Sequence, residues 1–561
     1  MKSGKASGVD DLTTEQIKHF GPLAKIWLLG LFNNVLHRRR IPRQWCKARV
    51  VAILKPGKDP GDPKSYRPIS LLCHLYKLFE RMLLDRIVSG VDEKLISQQA
   101  GFRAGKSCTG QILNLTQHIE DGFQRGKVTG VAFVDLTAAY NTVNHRRLLS
   151  KLYDVTGDYG LVEMTRVLLS NRRFQVALQR KKSRWRVQKN GLPQGSVLAP
   201  ILFNIYTNDQ PILPDCSHFL YADDLALAAQ YDSFEEVEST LEAGLVRMAD
   251  YYRDNQLTPN PSKTQIAAFH LRNREAGREL KVKWEGQPLV FTTLPKYLGV
   301  TLDRTLTFKA HVESTKRKVS ARNNLLRKVS GSTWGADPST IRSTALALCY
   351  SSGEYAAPVW CRSPHAKQMD VPLNDACRLV TGCLKATPLH KLCLLAGIAP
   401  PSIRRDVSAD TERTRQINDP RHPMFEYQAP ASRLKSRKSF LHSTTELKCT
   451  PSHERINRWR EQCDEGVQEV RPSVDESLPP GHNCRYGVWR AMNRLRTGVG
   501  RCGVDMVRWG FGGHDMCACG VLQIRNHFRE CRLNPVQCSQ EDVVNATWRA
   551  VAVAQYWSGR I

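Results

Sequence analysis

Apolar and polar positions first form short strand-like runs along this chain and later settle into helical spacing. Ala48-Arg49-Val50-Val51-Ala52-Ile53-Leu54 follows a Pro and a Trp and predicts a strand. A loop of Lys, Gly, Pro and Asp at 55–64 leads to Tyr66-Arg67-Pro68-Ile69-Ser70. Leu71, Leu72, Leu75, Tyr76, Phe79, Met82 and Leu83 recur at helical spacing, so an amphipathic helix is predicted to start at Pro68. Residues 131–135 predict a strand that runs into a helix reaching Leu152, and two β-rich runs follow at 174–178 and 185–187. The turn Gly191-Leu192-Pro193-Gln194-Gly195-Ser196 opens an apolar helix at 197–206. Phe219-Leu220-Tyr221 and 225–228 flank Ala222-Asp223-Asp224, the pattern of a tight hairpin. A helix at 234–255 and strands at 264–269 and 297–302 complete an order that predicts an α+β sheet with helices on one face.

Helical spacing continues from 308 to about 395. From 401 to 480 the chain is polar and rich in Arg, Asp, Glu, Ser and Pro, which predicts a linker with short helices. After Gly481 a small Cys/His-rich unit is expected, because six of the 17 cysteines lie there.

Charge narrows the partners. The chain carries 82 Lys and Arg against 53 Asp and Glu, a net charge of +29, and such an excess points to a polyanion, nucleic acid first. With 41% apolar residues, a large core is attainable and extensive disorder is not expected. The N-terminus has no apolar segment of the secretory kind, and the longest apolar run, 26–32, is too short for a bilayer core of about 30 Å. No membrane partner is therefore expected. An odd number of cysteines at low density fits a reducing compartment, nucleus or cytoplasm.

Two constellations carry chemistry. Asp135 ends a predicted strand, and Asp223 and Asp224 sit at a hairpin tip, so three carboxylates can meet at one sheet rim. Oxygen ligands placed there suit hydrated Mg²⁺, and two such ions clamp the attacking and leaving oxygens of phosphoryl transfer. An Asp pair alone is more often a plain turn. Cys517, Cys519, His527 and Cys531 offer four ligands of the kind that closes tetrahedral Zn²⁺, although the one-residue Cys517–Cys519 spacing is shorter than usual; buried thiols with a surface His are the plainer alternative. Nearby, Tyr486, Trp489, Arg490, Arg494, Arg496 and Arg501 mix rings with guanidinium groups, a composition of single-stranded nucleic-acid sites and equally of a solvated helix face.

The neighbours of the carboxylates decide between turn and active site. Tyr221-Ala222-Asp223-Asp224, Phe133-Val134-Asp135-Leu136-Thr137-Ala138-Ala139-Tyr140 and Leu192-Pro193-Gln194-Gly195-Ser196 occur in order with Tyr66-Arg67-Pro68-Ile69-Ser70-Leu71, Gln99-Ala100-Gly101-Phe102-Arg103, Asn260-Pro261-Ser262-Lys263-Thr264 and Tyr297-Leu298-Gly299-Val300. Over roughly residues 1–400 the set resembles the reverse transcriptase of non-LTR (LINE-type) retrotransposons of the jockey-like kind. That resemblance implies an RNA-directed DNA polymerase that extends a DNA primer or target 3′-OH with dNTPs on an RNA template. It implies a right-hand architecture: fingers and an RRM-like palm in 1–303 (core about 36–303), a helical thumb in 304–400, a polar linker in 401–480 and a C-terminal zinc-knuckle-like nucleic-acid-binding unit in 481–561.

Carried over by position, Asp135, Asp223 and the Leu136 carbonyl would ligate two Mg²⁺, and Asp224 would complete the catalytic set. Tyr140 would be the aromatic gate against a ribose 2′-OH, and Gln194 and Gly195 would line the incoming nucleotide. Arg67, Lys55 and Lys64 would pair with its triphosphate, and Lys263 would protonate departing pyrophosphate. A similar Cys/His unit in such proteins implies Zn²⁺ on Cys517, Cys519, His527 and Cys531.

Three departures stand out. Asn141 and Gly110 replace aspartates of the usual motifs, and the chain begins inside what looks like the fingers, so a copy lacking the upstream endonuclease is expected. The alternative is an inactive remnant that only binds nucleic acid. Gly105-Lys106-Ser107 resembles a P-loop but lacks its upstream glycine, since position 100 is Ala.

Overall fold

In the computed structural model, which describes all residues except 180, 332–334, 464–469, 472 and 512, the apolar run after Trp45 forms strand β1 (Lys47–Leu54). β1 pairs antiparallel with β2 (Tyr66–Leu71), Ala52 opposite Pro68. The helix predicted from Pro68 therefore starts six residues later, as α1 (His74–Val91). Leu71 and Leu72 fit either period in so short a run, and pairing with β1 decides the matter. Pro68 is tolerated because β2 is the edge of its sheet, where a missing N–H breaks no ladder.

α2 (Cys108–Arg125) precedes β3 (Val128–Val134), and β4 (Arg173–Leu178) runs parallel to β1 on the side away from β2. α3 (Ala199–Tyr206), β5 (Ser217–Tyr221), β6 (Asp224–Tyr231), α4 (Phe234–Asp254) and β7 (Gln265–Phe269) follow. The second sheet has the order Val290–Phe291, β7, β3, β6, β5, and both neighbours of β3 are antiparallel to it.

Helices cover both faces of that sheet, not one. A Cβ on Gly130 would meet Val237 and Leu241 of α4, whereas Thr129, pointing the other way, lies against Gly122 of α2. Burial on both sides is why β3 reads Val-Thr-Gly-Val-Ala-Phe-Val without polar alternation. Ser233 and Glu236 close a capping box at the start of α4.

The chain divides into two compact units, 1–298 and 299–561. The expected strand at 297–302 is instead two short strands, Lys296–Tyr297 and Val300–Thr301, interrupted at Gly299 (φ +89). The second unit is mainly helical, built from α5 (Lys309–Val329), α6 (Asp370–Thr381), α7 (Pro401–Asn418), α8 (Pro451–Glu461), α9 (Tyr486–Thr497), α10 (Gln540–Asn545) and α11 (Trp548–Trp557) among shorter pieces. The stretch expected as a linker begins with the 18-residue α7, whose Ile403 and Val407 share a buried cluster with Trp459 of α8. Its polarity is that of an amphipathic helix pair: Arg458 binds Asp410 at 2.7 Å, and Arg404 and Arg455 both bind Glu476.

Candidate active site

β3 ends at Val134, opposite Leu225, which follows Asp224 in β6. Asp135 thus leaves the sheet beside the Tyr221–Asp224 hairpin, whose ends pair with each other. Asp223 and Asp224 both sense neighbouring carboxylates. Burial raises Asp223 first and the charge of Asp135 adds to it; Asp224 is pushed up to about 6, by displacement of water from its carboxyl and then by Asp223 and Asp135. Carboxylates gathered at one rim, two of them raised by burial and by their acidic neighbours, are a ready site for a divalent cation.

The loop before β7 fixes the first of them. Thr264 Oγ1 accepts from Asp135 N–H at 3.2 Å, Asn260 N–H donates to the Asp135 carbonyl at 2.9 Å, and Leu136 bridges Pro259. Lys263 in the same loop lies 3.9 Å from Asp135 Oδ2 and remains solvent-exposed, so the pair itself contributes little stability.

Of these residues Asp135, Leu136 and Lys263 line a cleft of about 860 Å³. One wall carries Lys55, Lys64 and Arg67 around the end of β1 and start of β2; the other carries Asp135, Leu136, Asn141, Gln194 and Lys263. Lys64 and Arg67 are exposed, and Lys55 donates to the Lys64 carbonyl at 3.0 Å. A cleft with Lys55, Lys64 and Arg67 on one side and the Asp135 carboxylate on the other suits a metal-bound polyphosphate.

Gln194 is held by its backbone: Ser70 N–H of β2 donates to its carbonyl at 2.8 Å. Gly195 (φ +131) follows, where a Cβ would lie 2.5 Å from Ser70 O. Only glycine fits there. Beneath the turn, buried Glu80 of α1 accepts from the Ser196 hydroxyl and from Val197 N–H at 2.9 Å. Sequence reading passed over Glu80, although a carboxylate inside the Tyr76–Phe79–Leu83 stripe of an amphipathic helix was a signal.

Tyr140 is not among the cleft-lining residues. It stacks on Phe203 of α3 at 4.6 Å, and its hydroxyl has no hydrogen-bond partner among the described residues. Burial raises its pKa, and the Asp223 charge adds to the rise.

Lys106 does not head a phosphate loop. Its ammonium donates to the Ser97 carbonyl at 2.6 Å, and Ser107 caps α2 through Gly110 N–H at 2.9 Å.

In the second unit, the ligand atoms of Cys517, Cys519, His527 and Cys531 all lie within 4.8 Å of one another. Cys517 Sγ is 3.9 Å from Cys531 Sγ, and Cys519 Sγ is 3.5 Å from His527 Nε2. A tetrahedron with bonds of about 2.3 Å has edges of about 3.8 Å, so the donor set fits a metal of zinc's size.

The Arg/aromatic helix beside it departs from both sequence expectations. Tyr486, Trp489, Asn493 and Arg494 of α9 donate to the carbonyls of Leu379, Val380, Thr381 and Gly382 at 2.6, 3.0, 2.9 and 3.0 Å, satisfying the C-terminal end of α6. Arg496 does the same for Val543 and Val544 at the end of α10 and also reaches Pro480 O. Of the six residues singled out there, only Arg501 is exposed.

Residues 53–302 match the family described as "Reverse transcriptase (RNA-dependent DNA polymerase)". The chain is 31% identical over 415 residues to the probable RNA-directed DNA polymerase from transposon BS of Drosophila melanogaster, covering 69% of this chain and 44% of that protein. It is 30% identical over 332 residues to the RNA-directed DNA polymerase from mobile element jockey of Drosophila funebris, covering 57% and 36%. The chain thus spans less than half the length of these relatives. Among solved structures, Candida tropicalis telomerase in complex with a fragment of telomeric RNA aligns with a TM-score of 0.33 and 12% identity, covering 65% of this chain and 66% of that one. No helix among the described residues is long and apolar enough to cross a membrane. Residues 53–302 are a reverse transcriptase domain, related by sequence to the RNA-directed DNA polymerases of jockey-like non-LTR retrotransposons.

Proposed function

We propose that the chain is an RNA-directed DNA polymerase that adds dNTPs to a DNA primer or target 3′-OH on an RNA template. The observation that carries this reading is the placement of Asp135 beside Asp223 and Asp224, with the Asp135 end of the rim opening onto a cleft faced by Arg67 and Lys64. The first unit then supplies fingers (the β1–β2–β4 sheet) and palm (the β3–β6–β7 sheet); helices after residue 304 supply the thumb.

The carboxylates of Asp135 and Asp223 and the Leu136 carbonyl would hold two Mg²⁺, and Asp224 completes the acidic set. When bound, these ions supply charge neutralisation on the attacking and leaving oxygens. Arg67, with Lys64 and Lys55, orients the triphosphate by charge-assisted hydrogen bonds. The backbone of Gln194 and Gly195 forms the floor under the nucleotide. Lys263 Nζ, exposed beside Asp135, donates a proton to departing pyrophosphate. Tyr140, whose ring stacks on Phe203 outside the cleft lining, would act as the gate against a ribose 2′-OH. Cys517, Cys519, His527 and Cys531 would hold structural Zn²⁺ in a C-terminal nucleic-acid-binding unit.

Extension of oligo(dT) on poly(rA) with dTTP and Mg²⁺ tests the reading. Wild type should incorporate dTTP, and Asp223→Ala should reduce the rate by about 10³-fold or more, a loss of ~4 kcal/mol of transition-state stabilisation. Equal, negligible incorporation by both, with RNA binding intact, would establish a binding-only remnant instead.

A further inference from the structure

The turn that presents Asp223 is built on an unfavourable backbone. Ala222 occupies left-handed φ of +57°, which costs a residue with a Cβ about 1–2 kcal/mol. Such a conformation persists only where its surroundings over-determine it.

Gln99 supplies that constraint. Its side chain is buried, 2% exposed; Oε1 accepts from Ala222 N–H at 2.7 Å and Nε2 donates to the Ala222 carbonyl at 3.2 Å. One primary amide thereby satisfies both peptide groups of the residue before Asp223. Oε1 also accepts from Gly101 N–H at 2.8 Å. At Gly101 a Cβ would lie 2.3 Å from Ala222 N, so the loop can press against the turn only with glycine there.

The loop is itself anchored. Ala100 N–H donates to the Leu220 carbonyl at 2.9 Å, and Asn204 Nδ2 donates to the Gly101 carbonyl at 2.8 Å. Arg103 Nη1 donates to the carbonyls of Ile96 and Gln99 at 2.8 and 3.3 Å, while its Nε binds Asp92 at 2.9 Å. Arg103 is thus a strut for the Gln99 loop.

We infer that Gln99 is a positioning residue of the polymerase reaction: by clamping Ala222 from behind it sets the aim of the Asp223 and Asp224 carboxylates. This rests on the function proposed above. The chemistry is specific to glutamine. Leucine can neither donate nor accept, ionised glutamate accepts only, and asparagine is one methylene short.

Three readouts on the full chain test it. In Gln99→Leu, hydrogen exchange of peptides spanning 219–226 should accelerate at least 30-fold. Mn²⁺ binding followed by electron paramagnetic resonance, corrected with Asp135→Asn/Asp223→Asn, should weaken about 10-fold. On poly(rA)/oligo(dT), kcat should fall about 30-fold with KM for dTTP within twofold of wild type. Gln99→Glu, which keeps two acceptor bonds, should lie between the two and serves should Gln99→Leu not fold. Unchanged exchange across 219–226 in a folded variant overturns the clamp. Faster exchange with unchanged Mn²⁺ affinity and kcat overturns its role in aiming the carboxylates. Failure of wild type to extend primers would refute the polymerase reading alone, since exchange and Mn²⁺ affinity still judge the clamp.

Discussion

Two regions of this molecule gather basic residues, and they use them in opposite ways. Around the cleft, Lys64, Arg67 and Lys263 keep their charged ends in solvent, near the Asp135 carboxylate. On α9 the guanidinium groups of Arg494 and Arg496 are buried and spend their donors on backbone carbonyls. Both places carry several cationic side chains. The difference is what lies within reach: α6 and α10 end against α9 with unsatisfied carbonyls, and a forked five-donor side chain is the efficient way to satisfy several. The cleft offers its cations few carbonyls, so they stay available to a ligand. A basic, aromatic stretch therefore indicates a polyanion site only after the backbone acceptors around it have been counted.

Removing a strut should cost most. Arg496→Ala orphans the carbonyls of Val543, Val544 and Pro480, and part of that loss is offset because a buried cation, which burial pulls down to about 9, is no longer desolvated. A net loss of about 3 kcal/mol is expected in the second unit, read as a lower urea midpoint by tryptophan fluorescence. If α9 were a solvated nucleic-acid face, the same substitution would weaken RNA binding and leave the midpoint unmoved.

The Cys/His cluster sharpens the contrast, because it too would turn side chains inward to hold structure. Elemental analysis should find about one zinc per chain in wild type and none in Cys531→Ser, with chelation lowering the midpoint of wild type only. Folded, metal-free wild type would show the four side chains to be ordinary buried donors.

In the cleft the expected effect is on substrate, not on folding. Arg67→Ala should raise KM for dTTP about tenfold, ~1.4 kcal/mol, with the urea midpoint unchanged and Arg67→Lys between. A drop in stability without a change in KM would place Arg67 with the struts.

The smallest effect is one of pH. Burial alone would raise Asp475, but hydrogen bonds from Ser477 and Ser473, together with Arg471, hold it down to about 2. A carboxyl depressed below its ordinary 3.8 contributes stability that is present above that value and is lost as pH falls towards 2. Asp475→Asn should therefore lower the second unit's stability at neutral pH, with the gap to wild type closing between pH 4 and 2, so that the acid limb is flatter in the variant. An unchanged acid limb would remove Asp475 and Arg471 from the list of internal struts.

The strand end and turns that carry the candidate site were legible in the chain because strand ends and tight turns leave local marks. Asp135 follows an apolar run, Tyr221-Ala222-Asp223-Asp224 is a hairpin, and Gly195 sits where β2 approaches too closely for any side chain. Long-range partners leave no such mark. Nothing near Gln99 in sequence shows that its amide meets Ala222, 123 residues on, and nothing near Arg496 shows that helix 540–545 ends against it. The polar stretch after 401 misled for the same reason: its charges pair across α7 and α8, and only the pairing turns a linker-like composition into a folded element.

The sequence by itself determined the kinds of element, the order of the carboxylates, the motifs of a reverse transcriptase and a four-donor metal set, because these depend on side-chain period and on neighbours a few residues apart. Tertiary structure alone decided which charges face solvent and which are consumed inside. That outcome depends on where distant backbone carbonyls come to rest, and a buried acceptor must find a donor whatever the local sequence suggests.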